Sequence, residues 1–146
     1  MEAEAIFNEN LKTAHKYLGK GVTTDTQLNK VGKSLFGNDF IGTFSCDEIP
    51  NNLSKKTQYM IINNKPRKHG GEHWVACCNI SDVVYVFDSF GRPTESLIPS
   101  LFVGRGIIID TDYDKDQRDD QKDCGARCIA WIKLFDEYGV DNALLI

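Results

Sequence analysis

Residues Trp74–Ile80 and Val83–Phe90 are two apolar runs rich in β-branched and aromatic side chains, with only Ser81 and Asp82 between them. A two-residue connection is far too short for a crossover, so two strands joined this way pair as an antiparallel hairpin. The chain then returns to where it began. His73 precedes the first run and Asp88 lies near the end of the second, so the hairpin sets them side by side at one sheet end. A general base and the carboxylate that orients it need that placement. The plainer readings are a packing histidine and a turn aspartate ahead of Gly91 and Pro93.

The flanking sequence predicts the rest of the architecture. Residues 8–18 suit a short helix with Leu11, Ala14, Tyr17 and Leu18 on one side, and His15 there is expected at the surface or in packing. A second helix should start at Thr24. Thr24 and Gln27 have capping-box spacing, Leu28, Val31 and Leu35 form the stripe, and Gly37 suits the stop. Phe40-Ile41, Tyr59–Ile62 and Val103–Ile109 read as further strands. A polar stretch from Asp110 to Asp123 leads to Cys124, and a helix is expected from about Gly125 to Tyr138, with Cys128, Trp131, Ile132 and Phe135 on its apolar face and Gly139 as its cap. Helices at both ends with strands between them predict an α+β fold, a mixed or antiparallel sheet packed against helices. At 146 residues, without repeats or a long linker, residues 1–146 are expected to form a single domain.

Composition narrows the function classes. Five cysteines are an odd number, so a complete internal disulfide framework is excluded. The acidic start, Met1-Glu2-Ala3-Glu4-Ala5, has neither the basic nor the apolar region of a signal peptide, so the protein is expected not to be secreted and its thiols to be reduced. No apolar run approaches the roughly 18 residues of a membrane span. The net charge is -4, which argues against a nucleic-acid partner, and the basic cluster Lys65–Lys68 is short and broken by Pro66.

Cys124 stands where the last helix should begin, after the polar run Asp119-Asp120-Gln121-Lys122-Asp123. The unpaired N–H groups and dipole of a helix start favour an anionic sulfur there. Gly125 would let a substrate carbonyl come close to the backbone. Acyl transfer also needs donors for a developing oxyanion. The Cys124 N–H is one candidate, and Gln117 and Gln121 each offer a side-chain amide. A zinc module built from His69, His73, Cys77, Cys78, Cys124 and Cys128 is the rival from another class. Gly70-Gly71 speaks against a helix carrying both histidines, and Cys77 and Cys78 point to opposite faces of a strand.

Gly70-Gly71-Glu72-His73-Trp74, Tyr85-Val86-Phe87-Asp88-Ser89-Phe90-Gly91, and Gln117 followed by Cys124-Gly125 with Cys128 a turn later together resemble the adenain family, the adenovirus maturation proteases. More distantly they resemble the SUMO-specific proteases. A fainter likeness runs from Phe36 to Pro50. The resemblance implies a small papain-like-related cysteine protease domain with its nucleophile at a helix N-terminus. In that reading Cys124 is the nucleophile, His73 the base, Asp88 its orienter and Gln117 the oxyanion donor, with Trp74, Gly71 and Gly125 in support. Adenain has Glu at the position of Asp88 and the SUMO-specific proteases have Asp. The implied substrate is a polypeptide, a viral capsid precursor cut beside small residues such as Gly, in the virion and the infected cell. No metal or cofactor is expected; an activating peptide of unknown identity belongs to the resemblance, and nucleic acid is not expected to be required. An inactive peptide-binding relative and a protease for ubiquitin-like modifiers are the neighbouring alternatives.

Overall fold

The computed structural model describes residues 2–50, 56–69, 73–102, 106–112, 115 and 117–146. Gly71 and the start of the expected Val103–Ile109 strand lie outside them. The described elements run α1 (Ala3–Leu18), α2 (Asp25–Phe36), β1 (Phe40–Ser45), β2 (Gln58–Asn63), β3 (Trp74–Ile80), β4 (Val83–Phe87), α3 (Thr94–Leu97), β5 (Ile107–Asp110), α4 (Cys124–Tyr138) and α5 (Val140–Ala143). The five strands form one sheet in chain order. β2, β3 and β4 are antiparallel, while β1 joins β2 and β5 joins β4 in parallel, so the expected α+β class with a mixed sheet is what is found.

The hairpin forms as its length demands. Ile80 pairs with Val83, and both connecting residues take positive φ, 47° at Ser81 and 69° at Asp82. Two left-handed residues give the turn whose twist matches the strands on either side. The two faces of β3 serve two layers. Ala76 and Cys78 face the helices with Tyr59, Ile61 and Phe87, while Val75 and Cys77 face Ile98 and Leu101 from the segment after β4.

The sequence reading of the helices is right in kind and wrong in two faces. α1 starts at Ala3, five residues before the expected position, and buries Ala3, Phe7, Asn10, Ala14 and Leu18. Tyr17, expected on that side, is 68% exposed, because it falls just outside the buried stripe. In α2 the capping box is present as expected, and Gly37 ends the helix at φ 60°. Its buried row is Leu28, Gly32 and Phe36, so Leu35 turns outward while Val31 packs at the margin.

α4 departs furthest from expectation. It is not amphipathic: among its residues through Phe135 only Lys133 escapes full burial. α1 and α2 pack on it from one side and β3 from the other, which makes it a central helix clad nearly all round. Phe87 stacks on Trp131 at 5.4 Å and 8°, and Asn10 Nδ2 donates to the Ala130 carbonyl at 3.3 Å. Burying each such large side chain contributes on the order of 2 kcal/mol. The N-terminus of α4 is therefore fixed against the edge where β3 begins. Gly139 closes the helix at φ 88°, its N–H donating to Phe135 O at 2.9 Å. Among the described residues no helix is long and apolar enough to cross a membrane.

Candidate active site

β3 begins at Trp74, so His73 stands at the strand's mouth. Its N–H donates to Asn64 Oδ1 and its carbonyl accepts from the Asn64 N–H, both at 3.0 Å, which fixes the backbone before the side chain is considered. β4 ends at Phe87, and Asp88 follows at the same end. His73 Nε2 and Asp88 Oδ1 are 2.5 Å apart, and both residues are buried. Cys124 lines the same cleft as His73, and its thiol favours the charged form of the imidazole. The hairpin thus brings together the base and carboxylate expected of it.

The carboxylate is held from both sides. Asp88 Oδ1 takes His73 and the Phe90 N–H at 3.3 Å, while Oδ2 takes the Arg92 N–H and Arg92 Nε, each at 3.0 Å. Burial by itself would raise the Asp88 carboxyl, but the His73 and Arg92 side chains outweigh it and bring it down to about 2 from 3.8. Burial also opposes the charged form of His73, yet the bonds to Asp88 and Cys124 prevail and lift it above 6.5. The Phe90 ring lies 5.0 Å from the imidazole, and Arg92 and Lys115 both sit over that ring.

Because the folded Asp88 titrates below its unfolded value, its contribution to stability is present above about pH 3.8 and disappears as pH falls toward 2. The difference corresponds to about 2 kcal/mol. Asp88→Asn is expected to flatten the loss of stability between pH 4 and pH 2. Urea midpoints measured across that range for both proteins check it; parallel curves would mean that Asp88 is not the group being titrated.

Cys124 is the first residue of α4, one residue earlier than expected, and is 9% exposed. Its Sγ accepts the Trp74 N–H at 3.4 Å, while the Trp74 indole donates to the Thr23 carbonyl at 3.1 Å. Asp123 precedes it, but its carboxylate does not cap the helix. It goes instead to His15 Nε2 at 2.9 Å and Arg127 Nε at 3.0 Å, and so ties α1 to the start of α4. A Cβ at Gly125 would lie 2.1 Å from Thr23 Oγ1, so the glycine also admits the chain ahead of α2.

The two amides differ in what they face. Gln117 is buried, with Oε1 accepting from Ser89 Oγ at 2.6 Å and Nε2 donating to the Gln121 carbonyl at 2.5 Å. Gln121 lines the same cleft, but its Oε1 is engaged elsewhere, accepting from the Arg118 N–H at 2.7 Å and Arg127 Nη2 at 3.4 Å. His73, Phe90, Arg92, Gln117 and Cys124 share the walls of a cleft of about 210 Å³. Val22, Thr23 and Trp74 are common to this cleft and to a neighbouring pocket of about 280 Å³ that extends to Phe44 and Arg67. Among the described residues no three His, Cys, Asp or Glu side chains converge as a metal would require. Asn64, Ser89 and Arg92 escaped the sequence reading. Ser89 belongs to the Tyr85–Gly91 motif, but only the fold shows what its hydroxyl meets.

A cysteine at a helix N-terminus, in one cleft with a buried histidine that is bonded to a carboxylate at a sheet end, defines the class of sites that can perform nucleophilic acyl transfer. Residues 40–103 match the family described as adenovirus endoprotease, a stretch that includes His73 and Asp88. The chain is 40% identical over 86 residues to a protein named "Protease" from Bovine adenovirus 4, covering 55% of this chain and 41% of that one. It is 38% identical over 80 residues to a protein of the same name from Ovine adenovirus D serotype 7, covering 52% and 39%. The resemblance to the adenovirus proteases read from the sequence is therefore found independently, and the chain spans about two fifths of the length of these relatives.

Proposed function

We propose that this chain is a cysteine-type endopeptidase with Cys124 as nucleophile, His73 as base and Asp88 as the group that orients and ionises the pair. The observation that carries the reading is His73 itself, hydrogen-bonded to Asp88 through Nε2 and sharing a cleft with Cys124, whose thiol favours the charged imidazole. His73 takes the thiol proton, and the sulfur attacks the scissile carbonyl. The Cys124 N–H and the Gln117 amide stabilise the oxyanion. The imidazolium then protonates the leaving amine, and water releases the acyl group. No metal or cofactor enters this course.

The substrate is a polypeptide lying extended along the cleft and its neighbouring pocket, cut beside small residues such as Gly. The adenovirus relatives named as proteases support a viral maturation enzyme, and in this reading its substrates are capsid precursors cut in the virion and the infected cell. In this reading residues 1–146 act as one domain, and neither nucleic acid nor a membrane is required.

The test is limiting iodoacetamide at pH 6 on the folded protein, followed by mass mapping of all five cysteines. Labelling is expected to be fast and confined to Cys124, and to slow by about tenfold or more in His73→Ala, since the thiolate is the reacting form. Indiscriminate labelling, or a rate indifferent to His73, would remove the activated pair from the reading.

A further inference from the structure

We propose that Ser89 is a positioning residue of the oxyanion pocket, its buried hydroxyl fixing which way the Gln117 amide faces. The inference rests on the protease reading of the same site. It starts from the acceptor at Gln117. The Gln121 carbonyl can only accept, so the nitrogen end of the Gln117 amide must be the end that meets it, as it does at 2.5 Å. The oxygen end then faces Ser89, which must donate, and Ser89 Oγ lies 2.6 Å from Oε1. A second bond, from the Gln117 N–H to the Ser89 carbonyl at 3.0 Å, holds the two backbones in register. Ser89 and Gln117 are each about 2% exposed, so water does not substitute for either partner.

This arrangement uses one of the two amide hydrogens and leaves the other beside the cleft wall that Gln117 shares with Cys124. A flipped amide would present oxygen there instead, and an acceptor destabilises a developing oxyanion. Without the Ser89 hydroxyl, Oε1 would be a buried acceptor without a donor, and the amide would lose the contact that opposes rotation. The turn after β4 therefore organises both halves of the chemistry. Asp88 orients the base, and the next residue orients the donor.

Alkylation separates the two halves, because iodoacetamide needs an activated sulfur but no oxyanion donor. Ser89→Ala is expected to lower kcat for peptide hydrolysis about tenfold, the scale of one neutral hydrogen bond, with KM little changed. Cys124 alkylation at pH 6 should keep its wild-type rate, which also reports that the site is folded. The two Gln117 side-chain amide proton resonances should move toward those of a free glutamine. In a Gln117→Ala background the same change should cost nothing further, since the group that Ser89 acts on is gone. An equal tenfold loss in that background, or unmoved amide resonances, would overturn the proposal. A wild-type protein that labels at Cys124 but hydrolyses no peptide would instead sink the protease reading, and this proposal with it.

Discussion

Cys124→Ala is expected to abolish peptide hydrolysis, a loss of about 10⁴-fold or more, while leaving the protein folded. The size follows from the chemistry, because removing the atom that forms the acyl bond leaves only the oxyanion donors and substrate binding. The other cysteines are poor replacements. Cys128 lies one turn further along α4 and Cys78 inside β3; both are fully enclosed, and burial pushes their thiols well above the ordinary range. Cys46 is half-buried on the far side of the sheet, packed against the Met60 and Ile62 cluster. The fold should tolerate the change, because Sγ accepts only a long bond from the Trp74 N–H and the cavity left is one sulfur atom in size. A cost of about 1 kcal/mol would shift the melting midpoint by roughly 2–4 °C. Activity and melting of the variant decide the matter together. Retained hydrolysis would mean that another group attacks, and lost hydrolysis with an unfolded protein would say nothing about the nucleophile.

The parts of this protein that were legible in advance are those set by local rules. The length of the Ser81-Asp82 connection dictates the hairpin, and the hairpin dictates that His73 and Asp88 share one sheet end. Thr24 with Gln27, and Gly139 after α4, announce their caps through spacing that depends on nothing distant. Legibility ended where the outcome depends on what packs from elsewhere in the chain. α4 reads as one-sided because its large residues recur at three and four. Its other buried positions are a mixture, Ile129 and Leu134 off that stripe beside the small Gly125, Ala126 and Ala130, and small residues carry no periodic signal. Tyr17 fits a helical stripe as well as Leu18 does, and only the position of α4 decides between them. The same limit applies in the site. Residue types and order suggest a nucleophile, a base and an acid, whereas the grip of Arg92 on Asp88 and of Asn64 on His73 depends on how loops return.

Gln117→Ala is expected to lower kcat by about 10²–10³-fold, the usual cost of one oxyanion donor, with a much smaller effect on KM. The ground-state carbonyl gains little from a donor placed for the tetrahedral oxygen, so the loss falls on the chemical step. Gln121→Ala is the informative control. Its amide oxygen is engaged by the Arg118 N–H and Arg127, and its contact with Gln117 is through a backbone carbonyl that alanine retains. Its effect on turnover should therefore be under about tenfold, the scale of a lost neutral contact outside the reacting atoms. Steady-state kinetics on a Gly-containing peptide, run beside alkylation of Cys124 in each variant, separate the possibilities. If Gln121→Ala proved the more damaging while both variants alkylated normally, the donor would be Gln121, and the loop from Gln117 to Asp123 would have to turn over when substrate binds. If both variants alkylated slowly, the amides would be supporting the Cys124–His73 pair itself, and the Cys124 N–H would be left as the oxyanion's main partner.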